Sequence, residues 1–206
     1  LSPKVSPAHK QQRRVNLLKA AEEVFIEHGF EKATMKHVMD QAEVSRGGLY
    51  QYFSNKEDLF EALIEEKQDE VINGSVEYFI QQQGSCWNAL LATFLGDKKL
   101  PNDKMDPLAP SKLEYFITGR NEKRRQDHAK KRFQKGYMIT QRIIEEGVKA
   151  GEFTPKFDPG VIAKSIISHI DGMAIDHAIL GSETIQLKEQ TELLIEHLKW
   201  SLDLKE

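Results

Sequence analysis

Thr34, Lys36, Ser45, Arg46, Tyr50, Gln51, Tyr52 and Lys56 place hydroxyls, an amide and three cations within one short stretch, with Gly47 and Gly48 between them. That chemistry is hydrogen bonding to anionic oxygens and base edges, and it makes and breaks no covalent bonds. Bond-making groups elsewhere are sparse. His169, Asp176 and His177, at separations of seven and eight residues, fall near one helical face, with Ser168 and Asp171 beside them. A metal or hydrolytic site could be drawn from that set. Polar groups at a subunit interface, or one histidine in a ligand pocket, account for it better. No glycine-rich phosphate loop, metalloprotease histidine pair or nucleophile elbow appears. No catalytic residue, metal or cofactor is therefore expected.

The elements that must position the first set can be read from caps and spacing. Thr34 is an N-cap residue type, and Met35, Val38, Met39 and Ala42 follow at helical spacing, which predicts a helix of about two turns. Glu43 and Val44 break it. Ser45 is a second N-cap and opens a helix over residues 46–53, with Leu49 and Phe53 on its inner face. Two glycines in so short a helix cost roughly 1 kcal/mol each relative to alanine, so close approach of the backbone to a surface is the reason to keep them. Ser54 or Asn55 can cap a third helix with Glu57 and Asp58 in its first turn. Lys56 runs against that dipole preference unless an anion lies near it. Short helix, turn and second helix with a basic, small, hydrogen-bonding start describe a helix-turn-helix, whose second helix enters a DNA major groove.

Thr34, the run from Val44 through Tyr50 (Val44, Ser45, Arg46, Gly47, Gly48, Leu49, Tyr50), then Tyr52, Phe53 and Lys56, Glu57, Asp58, Leu59 together resemble the DNA-binding domain of TetR-family transcriptional regulators. The resemblance is strong over residues 10–60 and rests on architecture beyond them. It implies that Thr34, Ser45, Tyr50, Tyr52 and Lys56 touch phosphates, that Arg46, Gly47, Gly48 and Gln51 face bases, and that Lys36 belongs to the same DNA-facing set. Two positions depart from the family pattern. Glu43 stands where glycine is usual in the turn, so either a left-handed backbone there is strained or the turn differs slightly. Gly48 stands where threonine or alanine is usual, which removes a side-chain contact. Tyr50 and Tyr52 also read as half-buried packing residues, and Lys56 by itself reads as a solvated lysine.

The composition is that of a soluble protein: 206 residues, 39% apolar and 30% charged. A single cysteine, Cys86, excludes an internal disulfide and any thiolate metal cluster, while a redox-sensing thiol stays open until its exposure is known. No apolar run approaches the roughly 20 residues of a membrane span, and the start of the chain lacks the apolar core of a signal peptide, so a cytoplasmic location is expected. Residues 1–53 hold eight Lys and Arg against six Asp and Glu, so they carry +2 of a net −3 and the remainder carries −5. His9, Lys10, Arg13 and Arg14 concentrate positive charge at the front, where phosphates beside a groove would be.

Taken in order, the pattern is all-α: an N-terminal three-helix helix-turn-helix domain and then a C-terminal helical bundle, about nine helices in total. Residues 1–9 are expected to be a flexible arm, residues 10–55 the DNA-binding domain and residues 56–206 a ligand-binding and dimerisation domain. The first helix should span residues 10–28 and stop at Gly29. A fourth helix can be followed over residues 56–82, on the order of 40 Å, as a transmission element or a plain connector. Residues 147–157 resemble a joint of TetR-family regulatory domains.

Tyr78, Trp87, Phe94, Tyr115, Phe116, Tyr137, Met138, His169 and Met173 are candidates to line a pocket for a small hydrophobic or aromatic effector, each with a plain core role as its alternative. The final helix has two apolar stripes, Leu187, Leu194, Leu198 and Leu202 in one and Leu193, Trp200 and Leu204 in the other, which calls for two partners. A homodimer interface is expected to use Ile166, Ile170, Ile179, Leu194, Leu198 and Leu202. Two readings stand on the sequence. One is a ligand-responsive homodimeric repressor that binds a palindromic operator in double-stranded DNA, without membrane partners. The other is a helical small-molecule-binding dimer without specific DNA recognition, which Gly48 and Glu43 keep open.

Overall fold

The computed structural model describes residues 7–72, 75–96 and 100–204. Their regular structure is helical: α1 (Pro7–Lys32), α2 (Met35–Gln41), α3 (Arg46–Tyr50), α4 (Lys56–Ile72), α5 (Val76–Gln83) and α6 (Cys86–Leu95). After these come α7 (Ala109–Thr118), α8 (Lys123–Lys149), α9 (Pro159–Leu180), α10 (Ser182–Ile185) and α11 (Leu187–Leu202). The all-α expectation holds. The extra segments are the one-turn α10 and a division of the expected helix over residues 56–82. There α4 ends at Ile72, and a new cap starts α5, where the Ser75 hydroxyl accepts the Tyr78 N–H at 3.1 Å. Gly74 lies outside the described residues, as does most of the expected N-terminal arm. α1 already begins at Pro7, which suits a first helical turn because no N–H is needed there. Its regular course breaks at Gly29 (φ 73°, ψ 169°), the stop that the sequence marked.

The chain forms two compact units. The first is Leu1–Gln68 with Pro110–Gln126. Leu18, Ala21, Val24 and Phe25 of α1 meet Val38, Leu49, Phe53, Leu59, Phe60 and Leu63, all buried. The unit runs past the expected boundary at residue 55 through most of α4, and α7 is added to it. Tyr115 is fully buried against Phe30 and Phe60, with ring centres 4.9 and 5.2 Å away. Its hydroxyl donates to Glu61 at 2.5 Å, and burial together with that carboxylate holds the phenol well above its ordinary pKa. Ser111 donates to the Phe25 carbonyl, and Glu114 accepts the Glu31 N–H at 3.1 Å. Arg125 is buried over Phe30 and Tyr115, 4.8 and 5.0 Å from the ring centres, and reaches Glu57 at 3.5 Å. A buried guanidinium needs such partners.

The second unit is Asp69–Ala109 with Asp127–Glu206. Its core joins Phe79, Ala89, Leu90, Ile143, Ile144, Phe153, Ile162, Ile166, Met173, Leu187, Leu194, Leu198 and Leu202. α6 is capped twice at its start. Ser85 accepts the Asn88 N–H at 3.0 Å, and the Glu152 carboxylate accepts the Cys86 and Trp87 N–H groups at 3.0 and 3.1 Å. At the joint after α8, Gly147 leaves room for the Phe153 ring, which a Cβ would meet at 2.2 Å. The Thr154 N–H then donates to the Leu202 carbonyl at 2.8 Å, tying that segment to the end of α11.

Candidate nucleic-acid interface

Two hydroxyl caps build the helix-turn-helix. Thr34 accepts the His37 N–H at 3.2 Å and starts α2; Ser45 accepts the Gly48 N–H at 3.2 Å and starts α3. Between them the Val44 N–H returns to the Met39 carbonyl at 3.0 Å, and Glu43 takes the left-handed backbone (φ 52°), the strained one of the two alternatives its sequence left open. Val38, Leu49 and Phe53 are buried beneath. The next helix selects Asn55 as its cap: Asn55 accepts the Asp58 N–H at 2.7 Å, while Asp58 accepts the Ser54 N–H at 3.1 Å.

Thr34, Lys36, Ser45, Arg46, Gly47, Tyr50 and Gln51 are all exposed. Arg46 stands over the Tyr50 ring at 5.2 Å, which orders both side chains at the head of α3. The Gln51 amide donates to the Gly48 carbonyl at 3.4 Å. A Cβ on Gly47 would meet nothing within 4 Å, so a duplex can approach the backbone there. Tyr52 is half-buried, its ring 6.5 Å from Phe53.

Two expected DNA contacts are engaged within the protein. Gly48 is buried and does not face outward: a Cβ there would sit 3.4 Å from Ser45 Oγ and Val44 Cβ and 3.5 Å from an Arg13 guanidinium nitrogen. Lys56 is engaged within the protein. Its Nζ donates to the carbonyls of Phe30 at 2.7 Å and Glu31 at 3.1 Å and lies 4.4 Å from the Phe30 ring centre. The cation at a helix start thus finds its negative partner in the carbonyls that end α1. Arg14 is likewise turned inward, paired with Glu66 at 2.5 Å and lying over Phe53.

The candidate pocket residues do not converge. Trp87, Phe94 and Met173 share the core cluster of the second unit. Tyr115 and Phe116 belong to the first unit, as described above. Tyr137 stacks on Phe133 along α8 with ring centres 6.1 Å apart. Tyr78, Met138 and His169 are exposed. Met138 lies about 200° around α8 from the buried Thr140, and so on the far face. It instead joins Val76 and Ile139 in a groove of about 550 Å³ between α5 and α8, rimmed by Lys131, Lys135 and Arg142, which the sequence had not indicated.

Most of the expected interface residues are inside as well. Ile166, Leu194, Leu198 and Leu202 are core of their own chain, and Ile170 packs partly against it, while Ile179 is 73% exposed. The outward stripe of α11 is the other one, with Leu193 at 54% and Trp200 at 60% exposure. On α9 the exposed residues Val161, Ser165, Ser168, Gly172, Ile175 and Ile179 recur at spacings of four and three. His169 and Asp176 are exposed and His177 half-exposed. Among the described residues no group of three or more His, Cys, Asp or Glu side chains is gathered to hold a metal. Cys86 is buried, and burial followed by the nearby Glu152 carboxylate pushes its thiol up to about 12.

Among the described residues no helix is long and apolar enough to cross a membrane. Residues 17–63 match the family described as bacterial regulatory proteins, tetR family, and residues 91–188 match the tetracyclin repressor-like C-terminal domain. The chain is 37% identical to the Bacillus subtilis (strain 168) HTH-type transcriptional regulator YfiR, over 89% of its own length and 88% of that protein's. It is 40% identical to the transcriptional repressor AcnR of Corynebacterium diphtheriae over 80 residues, 36% of this chain and 42% of that one. The crystal structure of a TetR transcription regulator from Haloarcula marismortui shares the fold, with a TM-score of 0.72 at 18% identity, covering 95% of this chain and all of the other. With an exposed recognition helix on a hydroxyl-capped helix-turn-helix and these relationships across both units, the chain belongs to the TetR family of DNA-binding transcriptional regulators.

Proposed function

We propose that this regulator is a homodimeric, ligand-responsive repressor that acts in the cytoplasm on a palindromic operator. The observation that carries the DNA-reading part is the outer face of α3: Arg46, Gly47, Tyr50 and Gln51 stand exposed, with Thr34 and Lys36 beside them, on a scaffold whose other side is buried core. Arg46 and Gln51 read base edges there, and Thr34, Lys36, Ser45 and Tyr50 hold phosphates. One such short helix reads few base pairs, so paired half-sites are needed for selectivity. The outward stripes of α9 and α11 support a second copy as the other partner, because Val161, Ile175, Ile179, Leu193 and Trp200 are large apolar residues left in solvent and Ser165, Ser168 and Gly172 allow close helix approach.

The effector in this reading is a small hydrophobic or aromatic molecule held by the second unit, near Trp87, Phe94 and Met173. It binds best to a conformation whose two recognition helices are wrongly spaced for the operator, and its differential affinity moves the population off DNA. Repression is supported by the family relative named as a repressor. The test is selection of purified protein against random duplex DNA at one fixed, moderate salt concentration, followed by sequencing. Enrichment of a palindrome supports the reading and supplies the duplex for an effector screen. A folded dimer that enriches no sequence would overturn it in favour of a small-molecule-binding dimer without DNA recognition.

A further inference from the structure

α1 carries two successive arginines with opposite fates. Arg14 is committed to Glu66 and Phe53. Arg13 is exposed, and among the described residues it carries no ion pair. In the groove it shares with His9, Gln12, Asn16, Lys19 and Glu23, the Glu23 carboxylate accepts the Gln41 side-chain amide. The Arg13 guanidinium lies instead on the recognition helix, 3.5 Å from the point where a side chain at residue 48 would begin. The same point is 3.4 Å from Val44 Cβ and Ser45 Oγ, so Val44, Ser45 and Arg13 together close over Gly48.

Glycine inside a helix costs roughly 1 kcal/mol relative to alanine. Neither backbone nor packing at residue 48 demands it, since Gly48 has no positive φ and a Cβ would stand at ordinary contact distances. What the glycine does is leave the guanidinium room to lie against α3. A branched side chain would extend past its Cβ into the space Arg13 occupies. A cation held against an exposed recognition helix, with no carboxylate of its own, is placed to neutralise an operator phosphate.

We infer that Arg13 is a phosphate-contacting residue of the DNA interface and that Gly48 positions it by leaving its seat empty. This rests on the DNA-reading function proposed above. The departure from the family pattern at residue 48 is then an exchange, in which a side chain on the recognition helix gives way to a cation delivered from α1.

The experiment measures operator affinity as a function of salt for the full-length parent, Arg13→Ala, Gly48→Ala, Gly48→Thr and the Arg13→Ala/Gly48→Thr double variant. Thermal unfolding of each checks the fold. The slope of log affinity against log salt should fall by about 1 per subunit in Arg13→Ala. Gly48→Ala should keep the parent slope, Gly48→Thr should lose as much as Arg13→Ala, and the double variant should lose no more than either single one. An unchanged slope in a folded Arg13→Ala variant that still binds the operator overturns the Arg13 contact and leaves the DNA-reading function intact. Fully additive losses in the double variant overturn the positioning by Gly48. A folded parent with no measurable salt-dependent duplex binding overturns both this inference and the function beneath it.

Discussion

Exchanging Lys56 for alanine asks whether the first residue of α4 serves the fold or the DNA. Its ammonium spans the Phe30 carbonyl at 2.7 Å, the Glu31 carbonyl at 3.1 Å and the Phe30 ring at 4.4 Å. A hydrogen bond from a charged donor contributes about 1.5–3 kcal/mol where it is desolvated. The Phe30 bond is partly buried and the Glu31 bond exposed, so the first counts nearly in full and the second hardly at all. The ring contact adds roughly 0.5–1 kcal/mol. The expected loss is therefore about 2–4 kcal/mol, or roughly 4–16 °C in Tm for a chain of this size. Lys56→Met keeps the packing of the stem and removes the ammonium, its charge and its two hydrogen bonds, so it should show most of the same loss. Circular-dichroism melts and the salt dependence of operator binding give the two readouts. The Tm should fall while the salt slope stays at the parent value. A Tm within about 1 °C of the parent, with a slope lower by about 1 per subunit, would show that the ammonium belongs to a phosphate and refute the assignment.

Four other expectations follow from single sites. Glu43→Gly relieves a left-handed backbone at φ 52° and, after the added chain entropy of glycine, should raise the urea midpoint by the equivalent of about 0.5–1 kcal/mol; a lower midpoint would mean the Glu43 side chain holds the turn. Gly147→Ala places a Cβ 2.2 Å from the Phe153 ring and should cost about 1–3 kcal/mol, read as a lower Tm. Cys86, with its thiol pushed up to about 12, should resist iodoacetamide at pH 8 in the native protein and react once the chain is unfolded in urea, so rapid native labelling would contradict its burial. Burial alone would raise the pKa of Asp58, but hydrogen bonds from Arg124 and Ser54 outweigh it and hold the carboxyl below its ordinary 3.8. Its contribution to stability is thus present above that value and lost as pH falls through the depressed one, and Asp58→Asn should flatten the acid limb of a Tm against pH profile.

The helix-turn-helix was legible because its determinants are local. Thr34 and Ser45 reach N–H groups three residues ahead, and Gly29 marks the stop of α1 by position alone. Tyr115 and Lys56 were misplaced because their partners are distant in the chain. Nothing near Tyr115 announces that its hydroxyl meets Glu61, 54 residues earlier, or that Glu114 receives the Glu31 N–H from 83 residues away. Helical periodicity tells that one face of α7 is covered but not by what. Gly48 failed for a different reason: α3 is five residues long, too short for spacing to separate an inner from an outer face, and the positions of Val44, Ser45 and Arg13 decide it.

The two stripes of α11 carry the same kind of side chain, yet one is core and the other solvent-facing. Their continuity separates them. Leu187, Thr191, Leu194, Leu198 and Leu202 follow each other at steps of four and three without a gap along the whole helix, and all five are buried. Thr191 hides that continuity because it is polar, but its hydroxyl donates to the Leu187 carbonyl at 2.7 Å and can therefore be buried at little cost. Leu193 and Trp200 have the exposed Glu189, Glu192, Glu196 and His197 around them on α11, and the Trp200 ring also lies 5.9 Å from that of Phe157. The outward stripe, proposed above to meet a second copy, is a mixed surface in which Leu193 and Trp200 stand beside charged neighbours.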